Sequence, residues 1–396
     1  MKKLELYIHV PFCVRKCAYC DFLSAPAGEE TQKQYFQALK QEILEVPRVY
    51  KEDYTVASVF FGGGTPSIVP AEWIAEVMEL LRKEFRFSDE CMEEECCQPE
   101  ISLECNPGTA DEIKFRIYRA AGINRISFGL QSADNRELKL LGRIHSWEEF
   151  VDTYHAARRA GFENINVDLM SALPGQSVQS WEDTLRKVLA LKPEHISAYS
   201  LIIEEGTPFY EAYEADAEKR DRGERPELLP SEDDERRMYE LTEEILKEHG
   251  MHRYEISNYA LPERECRHNI GYWDGTEYIG FGLGASSMLC MDVNRCIRIR
   301  NTESLAEYIQ NDFSQKEVSA LSEEDQMAEF MFVGLRMMCG VSEEEFQRKF
   351  GKDMEDVYGD ILKKQQSLGL LARENGRVFL TAKGIDVSNM VMAEFV

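Results

Sequence analysis

Long apolar runs are absent from this 396-residue chain; none approaches the roughly 18–20 residues that a membrane-crossing helix needs. An export signal is also missing, because Glu5 and His9 interrupt the apolar residues behind Lys2 and Lys3. Positive charge is scarce: 46 lysines and arginines stand against 72 aspartates and glutamates, a net charge of −26. A surface of that sign repels phosphate backbones and anionic headgroups, which argues against nucleic-acid binding and direct membrane insertion. Apolar residues are plentiful at 43%, with 10% aromatics, enough for a large core and too many for a disordered chain. A cytoplasmic location is expected. There the 11 cysteines, an odd number, suit metal binding or chemistry better than disulfide bonds.

Period and punctuation give an alternation of strands and helices. Residues 4–10, 56–61, 100–105, 124–130, 164–170 and 195–203 read as strands, separated by helical patterns at 31–46, 70–85, 111–121, 147–160 and 177–191. Six strands alternating with helices imply right-handed crossovers and a parallel sheet, either barrel-like or doubly wound, with chemistry at the C-terminal strand ends. Residues 204–235, rich in charge and proline, read as a surface excursion. The rhythm stops near residue 300, which divides the chain into residues 1–300 and a smaller domain, 301–396. In the second part, three helical patterns precede two short strands around Asn375-Gly376, a hairpin signal. That order is winged-helix-like. Residues 303–396 hold 10 basic against 18 acidic residues, so a packing or lid role is favoured over DNA binding.

Cys13, Cys17 and Cys20 place three thiols within eight residues, directly after the first strand. A structural zinc site takes four protein ligands and an ordinary [4Fe–4S] cluster takes four thiolates. Three suffice for a cubane with one iron left open; a zinc site completed elsewhere is the alternative. The other cysteine group, Cys91, Cys96, Cys97 and Cys105, matches no ferredoxin spacing and reads mostly as an acidic loop. Strand ends supply further candidates: Gly62-Gly63-Gly64-Thr65, Glu104, Gln131 and Asp168, with Arg143 shortly after Gln131. Tyr7 and His9 lie just ahead of the cysteine loop. Singly, each is an ordinary polar or turn residue; in register at successive strand ends they suggest a shared pocket.

The spacing C-x3-C-x2-C, with Tyr19 before the last cysteine, resembles the radical S-adenosylmethionine superfamily. The resemblance implies a [4Fe–4S] cluster on Cys13, Cys17 and Cys20 whose open iron is chelated by the amino and carboxylate groups of S-adenosylmethionine. One electron then cleaves the sulfonium to methionine and a 5′-deoxyadenosyl radical. It also implies cofactor-binding roles for Tyr7, Tyr19, Gly63, Gly64, Thr65, Glu104, Gln131, Arg143 and Asp168. Glu104 would accept from a ribose hydroxyl, and Gly63 and Gly64 would approach the methionine end.

The phrases IHVPFC, FGGGTPS, LECNPGT, ISFGLQS and LGRIHS together resemble the branch that holds oxygen-independent coproporphyrinogen III oxidases and the HemW-type heme chaperones. That branch implies an α/β fold, a partial (β/α)6 barrel followed by the smaller domain. The oxidase pattern has a fourth cysteine where this chain has Phe22, and a substantial segment ahead of its cluster loop, whereas here the first cluster cysteine is residue 13. His268-Asn269-x-x-Tyr272-Trp273 resembles the chaperones' H-N-x-x-Y-W signature. This implies heme binding, with His268 a candidate axial ligand, Cys266 a competing one and Arg267 a partner for a propionate; a capped turn with a packed tryptophan is the alternative. The partners implied are heme, apo-hemoprotein acceptors of the respiratory kind, and an electron donor such as flavodoxin or ferredoxin. A porphyrinogen oxidase is the second reading.

Overall fold

Six strands run side by side in chain order: β1 (Lys2–Val10), β2 (Tyr54–Gly63), β3 (Glu100–Cys105), β4 (Arg125–Gln131), β5 (Ile165–Ser171) and β6 (His195–Ser200). The computed structural model describes residues 2–87, 98–290, 295–310 and 316–396. Each of the six pairs in parallel with the next. A doubly wound sheet reverses its strand order at a switch point. An order that never reverses keeps every right-handed crossover on one face, so the sheet curls with its helices outside, as in a barrel. The alternation within β1 shows the result. Leu4, Leu6, Ile8 and Val10 are fully buried towards the helices, whereas Glu5, Tyr7 and His9 occupy the opposite, inner face.

Among the described residues the sheet grows beyond these six strands to twelve. On one edge, β7 (His252–Arg253) and β8 (Asn258–Ala260) join β6 antiparallel. On the other, β9 (Tyr278–Phe281) lies parallel to β1, followed by the antiparallel β10 (Ser286–Cys290), β11 (Cys296–Arg300) and β12 (Glu317–Leu321). These short strands are too brief for a periodic signal. The last of them keeps the large sheet going past residue 300, where the sequence rhythm stops.

Two expectations change. Cys290 and Cys296 face each other across the β10–β11 hairpin and are joined as a disulfide, so the thiols are not all free. Directly opposed residues bring the two Cβ atoms within bonding reach, which sequence spacing alone does not reveal. Residues 204–235 are more than a surface excursion. They include the helix Pro208–Asp221, capped by Thr207, and bury Phe209 and Leu229 with Leu141, Leu173 and Leu201 in a small core of their own.

The C-terminal part packs the helices Glu323–Gly334, Glu343–Phe350 and Met354–Ser367 on a three-stranded sheet. That sheet contains β13 (Val341–Ser342), β14 (Leu371–Glu374) and β15 (Arg377–Leu380), in the order 13-15-14. Asn375 (φ 53°) and Gly376 (φ 72°) are both left-handed, the requirement of a type I′ hairpin turn. The result is winged-helix-like. Among the described residues no helix is long and apolar enough to cross a membrane.

Candidate functional site

The loop after β1 is tied down at both feet. Ala25 N–H donates to Pro11 O (2.9 Å), and Ala18 N–H donates to Leu141 O (3.0 Å). Phe209 N–H donates to Ala18 O (3.0 Å), and its ring packs beside Tyr19, so the helix at Pro208–Asp221 covers the loop. Cys13, Cys17 and Cys20 are free thiols on the wall of one cleft at the C-terminal strand ends. Tyr19, Gly63, Gly64, Thr65, Glu104, Gln131, Arg143 and Asp168 line the same cleft. Tyr7 does not. Its hydroxyl donates to His9 Nδ1 (3.0 Å), and His9 Nε2 donates to Leu23 O (3.0 Å), a clamp on the far side of the loop.

The glycine triplet is held against the loop. Gly64 N–H donates to Val10 O (2.9 Å) and Thr65 N–H to Phe12 O (2.7 Å); a Cβ on Gly64 would lie 2.5 Å from Phe12 O. Gly63 has φ +110° with the His9 ring against it, so no other residue fits there without strain. Its N–H donates to Glu104 Oε2 (3.1 Å). At the end of β4 the pairing with β5 shifts register between Gly129 and Gln131, and Gln131 adopts φ +75°. A left-handed glutamine at a bulge is the kind of strain that aims a side chain. Arg143 reaches into that bulge, donating to Gly129 O and to Asn106 Oδ1 (2.7 Å), with Nη1 3.5 Å from Cys17 Sγ. Its Nε is buried without a hydrogen-bond partner.

Burial, reinforced by the Asp168 charge, pushes the Glu104 carboxyl up to about 8 against the pull of the Gly63 N–H. Asp168 is raised in the same way by burial, opposed by hydrogen bonds from Ser197, Asn166 and Ser127. Among the described residues, no three His, Cys, Asp or Glu side chains converge on one metal-ion position. Three free thiols lining one cleft, beside an arginine whose buried Nε has no hydrogen-bond partner among the described residues, suit a cluster with an anionic ligand. Cys91, Cys96 and Cys97 lie outside the described residues, and Cys105 is buried against Asn106 and Thr109.

Below the cleft the inner faces of the strands are polar and hydrogen-bonded, a feature the motif reading missed. Asp168 accepts from Ser127 (3.1 Å) and Asn166 (2.7 Å), and Asn166 Oδ1 accepts from His195 Nδ1 (2.6 Å). His195 Nε2 meets the Tyr254 hydroxyl at 2.9 Å. Arg125, fully enclosed, lies in the middle and acts on Glu100, Asp168 and Glu104. The available signal was the period-2 polar face of each strand: Glu5, Ser58, Glu100, Ser102, Arg125, Asn166 and His195.

At the lower end sits the helix Arg267–Asp274, which carries the H-N-x-x-Y-W segment. His268 is 1% exposed and stacks on Phe60. Ser58 Oγ donates to Glu5 Oε1 (3.0 Å), so His268 Nδ1–H donates to Ser58 Oγ (2.7 Å) and Nε2 accepts from Tyr272 OH (3.2 Å). Burial and the Arg125 charge push His268 down to about 3, and burial pushes Glu5 up to about 9. At neutral pH both are uncharged, so their 3.8 Å approach is not an ion pair. Both ring nitrogens of His268 are thus engaged within the protein, at Ser58 and at Tyr272. Cys266, fully buried, donates to Glu100 (3.4 Å), and Arg267 Nη1 donates to Gln98 O (2.9 Å). Gly271 faces Glu5 so closely that a Cβ there would overlap its carboxyl group.

Comparison with known proteins places this arrangement. Residues 7–188 match the Radical SAM superfamily model and residues 321–387 the HemN C-terminal domain. The chain is 32% identical over 391 residues to a Heme chaperone HemW of Bacillus subtilis, covering 98% of each chain. It is 34% identical to those of Lactococcus lactis (100% of this chain, 97% of the relative) and Escherichia coli (96% of each). The chain belongs to the HemW family. Among solved structures, the coproporphyrinogen III oxidase HemN of Escherichia coli superimposes with a TM-score of 0.80 at 24% identity, over all of this chain and 90% of that one. At that identity the match speaks for the shared fold alone. The family is a radical SAM family, for which S-adenosylmethionine and a [4Fe–4S] cluster are the usual cofactors.

Proposed function

We propose that this protein is a cytoplasmic heme chaperone that binds heme and delivers it to apo-hemoproteins, respiratory ones in particular. The observation that carries this reading is similarity to proteins named Heme chaperone HemW along the full length of both chains, C-terminal part included. Phe22, exposed on the cleft wall where the related oxidases keep a fourth cysteine, supports it over porphyrinogen oxidation.

Cys13, Cys17 and Cys20 would hold a [4Fe–4S] cluster, which when bound supplies single electrons and an open iron to S-adenosylmethionine. The remaining work belongs to the chain. Arg143 places a fixed positive charge beside Cys17, suited to a carboxylate. Glu104, mostly protonated at neutral pH, both donates and accepts, as a ribose hydroxyl requires. Gly63 and Gly64, packed against His9 and Phe12, would set their backbone beside the methionine end, and Gln131 is aimed into the cleft by its bulge. Tyr19, backed by Phe209, keeps water from the loop. An electron donor of the flavodoxin or ferredoxin class would reach the cluster from the cleft side.

The test is anaerobic reconstitution with iron and sulfide, heme titration in the Soret region, and transfer of the bound heme to an apo-hemoprotein. Coproporphyrinogen III, reductant and S-adenosylmethionine go into a parallel reaction. Heme binding and transfer without porphyrinogen turnover is the expected result; turnover without stable heme binding would make the protein an oxidase.

A further inference from the structure

Four histidines are buried among the described residues: His9, His145, His195 and His268. In three of them both ring nitrogens are engaged, His9 with Tyr7 and Leu23, His195 with Asn166 and Tyr254, His268 with Ser58 and Tyr272. His145 is the exception. It is 6% exposed, and neither Nδ1 nor Nε2 is open to solvent or has a hydrogen-bond partner among the described residues. Burial and the Arg143 charge push the ring down to about 3, and the Leu130 carbonyl pulls the other way without reaching hydrogen-bond geometry. At neutral pH the imidazole is therefore uncharged, with one N–H and one lone pair, both unspent. A polar group buried in that state is destabilising, so a fold that keeps one asks for a partner.

The surroundings of the ring point to that partner. His145 lies between the helices Asn135–Leu140 and Trp147–Arg159, on a connection laid along the cysteine loop. Ala18 N–H donates to Leu141 O (3.0 Å), Arg15 donates to Gly142 O (3.4 Å), and a Cβ on Gly142 would lie 3.8 Å from Cys17 Cα. Ile144 is 55% exposed, whereas Arg143 and His145 on either side of it turn inward. His145 lines a void of about 20 Å³ against the loop, together with Cys13, Cys17 and Arg143. Such a void admits a single water. Val14, Ile68 and Ile144, which line it too, offer the ring no polar group. Asn106 and Thr109 are already committed: Thr109 Oγ1 donates to Asn106 O (2.6 Å), Asn106 Nδ2 donates to Thr65 Oγ1 (2.8 Å), and Asn106 Oδ1 accepts from Arg143 (2.7 Å). The acceptors left to an N–H in this void are the sulfurs of the loop.

We infer that His145 donates its N–H to the sulfur face of the cluster held by Cys13 and Cys17, directly or through the one water that the void admits, and thereby raises the cluster's reduction potential. The inference rests on the reading that Cys13, Cys17 and Cys20 hold a [4Fe–4S] cluster. A reduced cluster carries one more electron than an oxidised one, and its sulfurs are the better acceptors, so an N–H aimed at them favours the reduced form. Arg143 brings a full positive charge to the same wall; His145 adds a dipole without a second charge.

The experiment is an EPR-monitored redox titration of the reconstituted full-length protein, with wild type compared against His145→Phe and His145→Gln. Phenylalanine fills the space without an N–H, and glutamine restores a donor. His145→Phe should keep its iron and sulfide while its potential falls by ~59 mV, which for one electron is about a tenfold change in the reduced-to-oxidised ratio. His145→Gln should recover most of that shift. A potential in His145→Phe equal to that of the wild type would overturn the inference. Equal falls in both variants would overturn it as well, since they would mark lost packing rather than a lost donor. Pulsed EPR of protein carrying isotopically labelled histidine decides the matter even where the phenylalanine variant assembles no cluster. A coupling between the reduced cluster and a histidine nitrogen should appear in the wild type and vanish in His145→Gln; its absence from the wild type would refute the contact. Wild-type protein that assembles no [4Fe–4S] cluster on the three cysteines would instead bring down the reading on which the inference rests.

Discussion

At the C-terminal strand ends the cleft is narrow, about 120 Å³, and its walls come from the tips of successive strands and the loops that follow them, between residues 13 and 168. At the opposite end lies a cavity of about 650 Å³, and its walls come from β9–β12, one short helix and a separate C-terminal part. In the first, successive strand ends, each carrying a motif, deliver residues to a shared point. The second joins short strands and one short helix, none of which carries a periodic signal, to the C-terminal part. Between them lies a buried polar interior built around Arg125.

The largest effect that would break this contrast concerns the cysteines. Alanine at any one of Cys13, Cys17 or Cys20 should abolish the brown [4Fe–4S] chromophore after reconstitution, whereas alanine at Cys339, on the wall of the larger cavity, should leave it intact. Loss of the cluster in Cys339→Ala would show that the two ends are not independent.

A smaller effect tests the interior that joins them. Arg125 is the buried cation among Glu100, Glu104 and Asp168, and removing one member of a buried charged set commonly costs about 3–5 kcal/mol because the others stay behind unpaired. Arg125→Leu should therefore destabilise the whole barrel by an amount of that order in denaturant unfolding. A cost below about 1 kcal/mol would mean that the interior carboxyls are neutral enough to do without it.

The contrast also explains which parts were legible in the sequence. The six core strands and the cleft residues were readable because each strand ends where its motif does, and because parallel strands in chain order put successive tips side by side. Gln131 and Asp168 needed no tertiary knowledge beyond that. The Asn375-Gly376 hairpin was readable for a local reason, a turn that only such residues adopt easily. The cavity was not. Its lining residues Lys349, Cys339 and Met288 belong to no shared motif, and the strands that shape their surroundings are too short to show a period. His268 was found by resemblance, but its partners Glu5 and Ser58 are 263 and 210 residues away in sequence, so its closed hydrogen bonds could only be seen in three dimensions. The disulfide between Cys290 and Cys296 was missed for a similar reason, since opposition across a hairpin depends on register.

The smallest effect is one of pH, and it sharpens the account of the lower end. Glu5 keeps its proton in the folded protein up to about pH 9, while its ordinary value is 4.5. Between those values the unfolded chain has released the proton and the folded one has not, so the folded state binds more protons and stability falls as pH rises. His268 works in the opposite direction and lower down. Held neutral to about pH 3 against an ordinary 6.5, it removes stability as pH falls through that window. Glu5→Gln preserves the acceptor for Ser58 and the neutral state, and it abolishes the titration. Its melting temperature should change less than that of the wild type between pH 6 and pH 9, with the variant gaining most at the alkaline end. Parallel curves for the two proteins would mean that Glu5 is ionised in the folded state, paired with a charged His268. The imidazole would then be a cation at neutral pH, and the neutral hydrogen-bond chain that orients Tyr272 would have to be redrawn.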